Sequence, residues 1–206
     1  ETLQAHHRDL PEEKRQRYLD LAMTQAEQMN RLVQDLLTLS SLEASTGFAD
    51  ETDVPVADLV HETIESAESL SQERHRITYD IPDDLRLRAS ASALRSIFGN
   101  LINNAVNYTP EGGSISVTWE ENQDGGLLKV KDTGIGIDVN HISRLTERFY
   151  RVDQGRSRET GGTGLGLAIV KHALGRHQGR LTIDSRLNQG STFAAHFPCA
   201  RISYSH

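Results

Sequence analysis

A chain of 206 residues, 36% hydrophobic and 25% charged, has room for one domain with a sizeable buried core and one additional element. Its formal net charge of −7 excludes nucleic acid as a main partner, because gripping a phosphate backbone takes a basic surface. No run reaches the roughly 18 apolar residues that span a bilayer, nothing reads as a signal peptide, and the single cysteine, Cys199, excludes an intrachain disulfide and points to a reducing compartment.

The first element is long. Ala22, Gln25, Met29, Leu32, Leu36 and Leu39 recur at alternating spacings of three and four, with Ala26 and Val33 widening the stripe, and predict one amphipathic helix over residues 11–44. Asp9, Pro11 and Glu12 mark its start, so residues 1–8 read as the tail of a preceding helix. Such a stripe needs cover, from a helical hairpin or dimeric bundle, or from the helix's own domain. Small polar residues with Gly47 make 45–50 a linker.

Beyond it, Val54–Leu70 reads as a short strand running into a helix near Pro55, and Arg76–Pro82 and Leu85–Ala89 as strands. Ser92–Tyr108 is a periodic helix, and Ser114–Glu120 with Leu127–Asp132 forms a hairpin across Asp124-Gly125-Gly126. Residues 138–161 are polar and aperiodic and read as a long mobile segment with one helical turn. Leu165–His177 is a helix, Arg180–Ser185 and Ser191–Phe197 a closing strand pair, and 199–206 a tail. The expected class is α+β, a mixed sheet with helices on one face, occupying residues 51–198.

Three segments carry chemistry. Asn100, Asn104 and Asn107 stand four and three apart and share one face of the helix whose other side is Leu94, Ile97, Phe98, Leu101, Ile102, Ala105 and Val106. Asparagine is a poor helix former, so three on one face suggest a use for carboxamides: oxygens for a cation, hydrogens for phosphate. A merely solvated face fits this helix alone equally well. Next, Val130–Ile137 is a strand emptying into Asp132-Thr133-Gly134-Ile135-Gly136, where glycines permit positive φ and close approach to a flat ligand. An acceptor-only carboxylate at the strand end suits an exocyclic amine such as that of adenine. Asp-Thr-Gly also surrounds the aspartic-protease carboxylate, but that chemistry needs a paired mate and no second such tripeptide exists. Third, Gly161–Gly166 opens a helix and offers free N–H groups and a helix dipole to phosphates. The glycine spacing and the polar Arg156–Thr160 before it do not fit a dinucleotide fingerprint, and no Gly-Lys-Ser/Thr follows as in a P-loop.

These segments, in this order, resemble the HATPase (Bergerat-fold) domain of sensor histidine kinases: Asn100–Tyr108 its N box, Asp132–Ile137 its G1 box, Arg148–Asp153 its F box and Gly162–Gly166 its G2 box. The 11–44 helix is similar to the second helix of that family's dimerisation and histidine-phosphotransfer hairpin, and Phe149–Lys171 most resembles the phosphate-regulon sensors. The resemblance implies a two-layer α/β sandwich after a truncated hairpin (1–44), with ATP and Mg²⁺ as cofactors. It implies that Asn100 and Asn104 hold the metal and phosphates, Asp132 binds adenine, and Asn100 and Arg151 are catalytic. Asn107, Tyr108, Gly134, Gly136, Ile137 and Tyr150 complete the nucleotide site, with Gly162, Thr163, Gly164, Leu165, Gly166 and Leu167 around the phosphates. The implied partners are an adenine nucleotide, a response-regulator receiver domain and a second copy through the hairpin. The implied place is the cytoplasmic side of an inner membrane, reached through segments upstream.

Residues 144–158 carry five arginines (144, 148, 151, 156, 158) against Glu147 and Asp153, a net of +3 that suits a triphosphate. Two departures stand out. Asn107 occupies a position where the family usually has lysine, so the arginines are expected to compensate. The H box is absent: His6 and His7 sit in Ala-His-His-Arg-Asp-Leu, so the acceptor is expected upstream of Glu1. The competing readings are a hydrolysing relative of gyrase, Hsp90 or MutL, which carries a glutamate base where Asn100 stands, and a module that uses nucleotide only to bind partners. An amide takes no proton from water, which disfavours the first.

Overall fold

Glu12–Ala44 form α1, a single helix directly after Pro11 with Glu12 and Glu13 in its first turn, in a computed structural model that describes residues 11–44, 51–152 and 162–205. Among the described residues the stripe is covered only at its C-terminal end, where Leu32, Leu39 and Leu42 pack against Leu165 and Ile169. Upstream, Met29 is 68% exposed, and Val33 and Leu36 are exposed with it. The described residues of one copy therefore leave most of the apolar face of α1 bare. Asp9 and the 45–50 linker lie outside the described residues.

The domain follows the predicted order: β1 (Thr52–Pro55), α2 (Val56–Ser71), β2 (Arg76–Asp80), β3 (Leu85–Ala89), α3 (Ala91–Tyr108), β4 (Ser114–Asn122), β5 (Gly125–Asp132), α4 (Val139–Ile142), α5 (Gly166–Arg176), β6 (Arg180–Arg186), β7 (Gly190–Pro198) and β8 (Ile202–Tyr204). Five strands form one mixed sheet in the order β2-β4-β5-β7-β6, parallel only between β2 and β4. One sheet face meets the helices. Leu94, Ile97, Phe98, Leu101 and Ile102 of α3 lie in one core with Ile115 and Val117 of β4 and Leu128 and Val130 of β5. Alternate residues on those strands point away from the helices, as a half-buried antiparallel sheet requires.

Two details differ from expectation. The β4–β5 hairpin is longer and its turn tighter, since Asn122 pairs with Gly125 and only Gln123 and Asp124 remain in the loop. Gly125 and Gly126 belong to β5. A Cβ on Gly126 would lie 2.0 Å from Trp119 Cζ2, so the indole covers the bare backbone from the neighbouring strand. Second, residues 199–204, a tail on the sequence reading, form a 3₁₀ turn and β8, which pairs antiparallel with β3 in a small sheet of order β1-β3-β8.

The 3₁₀ turn brings Arg201 into a buried polar junction. Its Nη1 donates at 2.8 Å to both Glu51 Oε1 and the Arg88 carbonyl. Beside it His177, 3% exposed, holds both ring nitrogens in bonds: Nδ1 donates to the Ala173 carbonyl (2.7 Å) and Nε2 accepts from Ser90 N–H (3.2 Å). That arrangement requires neutral imidazole. Burial is the main cause holding the His177 pKa below its usual 6.5, against the opposing bond to Ala173. His196 is held low in the same direction, chiefly by burial.

A histidine with a depressed folded pKa binds fewer protons folded than unfolded. Its stabilising contribution is complete above the unfolded value and declines as pH falls below it towards the folded one. Unfolding free energies from urea titration are therefore expected to drop between pH 7.5 and 5.5, by up to about 1.4 kcal/mol per pH unit from His177. His177→Gln, which can keep one donor and one acceptor, is expected to flatten that drop; an undiminished slope would remove His177 as its source.

Candidate functional site

The C-terminal half of α3, the end of β5 and the start of α5 meet at one end of the sheet. With the 138–152 segment they enclose a cleft of about 710 Å³. Asn100, Asn104 and Asn107 line it, because the spacing that buries Leu101, Ala105 and Val106 turns the carboxamides to the opposite side. The three are not equivalent. Asn100 Nδ2 donates to the Ser96 carbonyl at 2.7 Å, so this amide is fixed by its own helix and its Oδ1 remains for other use. A Cβ on Gly166 would stand 2.4 Å from that oxygen, so the absent side chain lets α5 begin directly against Asn100.

Asp132 ends β5 at 4% exposure. Its Oδ1 accepts from Gly134 N–H (2.7 Å) and Ser191 N–H (3.2 Å), which leaves Oδ2 for the cleft that Asp132 lines. Burial pushes its pKa up, and the two backbone donors pull back against that. The glycines after it act differently from each other. Gly136 has φ +64°, and a Cβ there would meet the Arg186 carbonyl at 1.9 Å. Gly134 needs no positive φ and does not line the cleft. Its bare Cα makes room for the Tyr108 carbonyl, 2.4 Å from where a Cβ would lie. The close approach there is between parts of the protein, not to a ligand. Ile137 N–H donates to Ser185 Oγ at 2.9 Å, which ties the turn to β6.

The loop before α5 lies beside these groups. Gly162, Thr163, Gly164, Gly166 and Leu167 all line the cleft. Gly164 has φ +73° and packs on Phe149, whose N–H donates to its carbonyl at 2.9 Å. No side chain caps α5, so the N–H groups of its first turn and the positive end of its dipole are offered to the cleft. Leu165 is a correction to the sequence reading. It is 0% exposed, locked against Leu39 and Ile169, and anchors the loop from behind.

The arginines divide. Arg144 is paired with Glu147 (3.2 Å) and stacks 4.2 Å over the Tyr150 ring, and Arg148 is paired with Glu43 of α1. Among the described arginines of the +3 segment, Arg151 alone lines the cleft. Its Nη2 is buried with no hydrogen-bond partner among the described residues. Arg156 and Arg158 lie outside the described residues. A buried guanidinium nitrogen without an acceptor is costly, which makes Arg151 the group here most in need of an anion.

Sequence reasoning missed several lining residues. Arg31 and Asp35 reach the cleft from α1, and Thr163 Oγ1 donates to Asp35 Oδ2 at 2.5 Å across 128 residues of sequence. His141 and Leu145 line it, with Tyr150 OH 2.6 Å from His141 Nδ1. Ser191 contributes through its backbone. No local pattern announces such residues, although a histidine inside an aperiodic polar stretch is a signal that could have been followed.

A family model described as histidine kinase-, DNA gyrase B-, and HSP90-like ATPase matches residues 89–201. The phosphate regulon sensor protein PhoR of Pseudomonas aeruginosa is 48% identical over 188 residues, which are 91% of this chain and 42% of that protein. The sensor histidine kinase RppB of Synechocystis is 37% identical over 187 residues, covering 88% of this chain and 40% of that one. The chain thus spans less than half the length of these relatives. Among solved structures, full-length ShkA in complex with AMPPNP has a TM-score of 0.76 at 25% identity, over 97% of this chain and 42% of that one.

The burial of Asp132 has a consequence for stability. A carboxyl with a raised folded pKa binds more protons folded than unfolded just above its ordinary value, so its ionised form at neutral pH costs stability. Asparagine keeps an oxygen for Gly134 and Ser191 without the charge. Asp132→Asn is therefore expected to melt at the same temperature as wild type or higher at pH 7, and a clearly lower Tm would show that the charge holds the fold.

Proposed function

This chain belongs to the histidine kinase-, DNA gyrase B- and HSP90-like ATPase family as the ATP-binding catalytic region of a sensor histidine kinase, and from that premise we propose which residues act and on what. The reaction is transfer of the γ-phosphoryl group of ATP to a histidine outside this sequence, followed by relay to an aspartate of a response-regulator receiver domain. The observation that carries the assignment is the buried, partnerless Nη2 of Arg151 in a cleft shared with three carboxamides and the uncapped N-terminus of α5.

Each residue has a definable task. Asp132 Oδ2 accepts from the adenine amine, where guanine would present a carbonyl and be repelled. Gly162–Gly166 and the first turn of α5 bind phosphate oxygens through backbone N–H groups. Asn100 and Asn104 fit Mg²⁺ through their amide oxygens, since the Ser96 bond leaves Asn100 Oδ1 free. The metal, when bound, would neutralise charge between the phosphates. Arg151 stabilises the charge that spreads over the transferring phosphoryl. Asn107 brings no charge, so Arg151 also stands in for the lysine usual there.

Hydrolysis is the weaker reading. Asn100 is an amide at the place of the hydrolytic glutamate and cannot deprotonate water, so bound ATP is kept for a protein acceptor. The bare stripe of α1 around Met29, Val33 and Leu36 suits a hairpin partner and a second copy of the chain. No helix among the described residues is long and apolar enough to cross a membrane; we place this region on the cytoplasmic side of a membrane-anchored sensor, as its PhoR-like relatedness suggests.

Two experiments test the assignment. In full-length protein, Arg151→Ala is expected to slow transfer by about 1,000-fold or more while weakening Mg-ATP binding only about tenfold. In the same titrations Asp132→Asn is expected to lose adenine-nucleotide affinity by about 10- to 100-fold. Full transfer by the arginine variant would show that another group meets the γ-phosphate. Residues 1–206 incubated alone with radiolabelled ATP are expected to acquire no acid-labile, base-stable phosphate, because His6 and His7 lack the adjoining acid of an H box. Labelling at either histidine would move the acceptor into this sequence.

A further inference from the structure

Arg151 has no ion pair among the described residues, so something else must hold it in the cleft. Besides the exposed Arg148–Glu43 pair, the two residues just before it are each fastened. On one side Phe149, at φ +63°, donates its N–H to the Gly164 carbonyl at 2.9 Å, and a Cβ on Gly164 would lie 2.9 Å from Phe149 Cα. On the other side Tyr150 OH lies 2.6 Å from His141 Nδ1, with Arg144 stacked 4.2 Å over the Tyr150 ring. His141 is itself set by α4: its N–H donates to the Asp138 carbonyl at 2.9 Å, and Asp138 caps the turn by accepting from Asn140 N–H. One residue earlier, Ile137 N–H is tied to Ser185 Oγ of β6. An unbroken path of bonds therefore runs from the sheet through α4 and the imidazole to Tyr150, the residue next to Arg151.

We propose that His141 is a positioning residue for phosphoryl transfer, which through its bond to the Tyr150 hydroxyl fixes the backbone that carries Arg151 and so keeps the guanidinium at the γ-phosphate end of the cleft. The proposal rests on the reading of the cleft given above. It assigns His141 no proton transfer and no direct contact with the transferring group. A guanidinium on a flexible stem loses rotamer entropy when held, and an anchored neighbouring residue reduces what must be lost on binding. Without that bond the Tyr150 ring keeps the Arg144 stacking, and the backbone of Arg151 is held by the Phe149–Gly164 tie and the exposed Arg148–Glu43 pair, about which it can pivot.

The test compares Mg-ATP with Mg-ADP, which differ only in the group Arg151 meets. On residues 1–206, His141→Phe and Tyr150→Phe each remove the bond from one side. Each is expected to weaken Mg-ATP about fivefold more than it weakens Mg-ADP in calorimetric titration. His141→Asn, which places a polar atom near the Nδ1 position, is expected to restore most of the discrimination. In an Arg151→Ala background, His141→Phe is expected to add nothing. In full-length protein the Phe variants are expected to lower kcat for autophosphorylation at least tenfold, with KM for ATP changed less. Equal losses of ATP and ADP would overturn the proposal, assigning His141 to the adenine pocket, as would a His141→Phe effect that persists without Arg151. Unchanged discrimination in Tyr150→Phe would overturn it even if His141→Phe failed to fold. Wild-type protein that binds neither nucleotide would overturn the reading of the cleft itself, a result distinct from all of these.

Discussion

The first turn of α5 reaches Asn100 because residue 166 has no side chain, and the cleft depends on that contact. A Cβ there would intrude to 2.4 Å from Asn100 Oδ1, forcing the two helices apart. With glycine, the uncapped end of α5 and the amide face of α3 become walls of one space. The same loop is fixed from behind by Leu165, fully buried against Leu39 of α1. An apolar plug on one side and a missing side chain on the other thus place a row of N–H groups where an anion can meet them. Neither residue performs chemistry.

Charge is distributed around this site by pairing. A segment read in sequence as a positive island is largely neutralised where it is described: Arg144 is paired with Glu147, and Arg148 with Glu43 of α1. Exposed pairs of this kind contribute little to stability, yet they decide which cation is left for a ligand. Arg151 is that cation among the described arginines of the segment. In the opposite sense, Asp35 brings a carboxylate from α1 to the Thr163 hydroxyl in the loop before α5. The helix that carries the bare apolar stripe is in direct contact with the nucleotide cleft.

Two buried titratable groups show how a site differs from a structural junction. His177 and Asp132 are both almost fully covered, and burial disfavours the charged form of each. Around His177 both ring nitrogens are engaged by backbone groups, so nothing is left to bind. Asp132 has both its bonds on one oxygen and a cleft beside the other. Incomplete satisfaction, together with open space, distinguishes the carboxylate from the imidazole.

Most of the architecture was legible along the chain because it is local. Periodicity gave α1, α3 and α5 nearly to the residue, and alternation gave the strands of the main sheet, since both patterns reflect one face being withdrawn from water. Of the expected site residues, all but Gly134 and Leu165 line the cleft. Those two fail because a glycine or leucine in a motif does not reveal whether it faces ligand or protein. The β4–β5 turn was misplaced because Gly125 and Gly126 look like a turn until Trp119 is seen lying over them. The strand at 202–204 was missed because three residues carry no period, and only the partner β3 makes them a strand. Spacing along the chain determined the α+β class and the three motifs, and the family resemblance those motifs carry implied the nucleotide chemistry. Which arginine stays unpaired, that Asp35 of α1 borders the cleft and that His141 grips Tyr150 were decided by tertiary structure, because each is a contact between segments whose spacing along the chain carries no record of their distance in space.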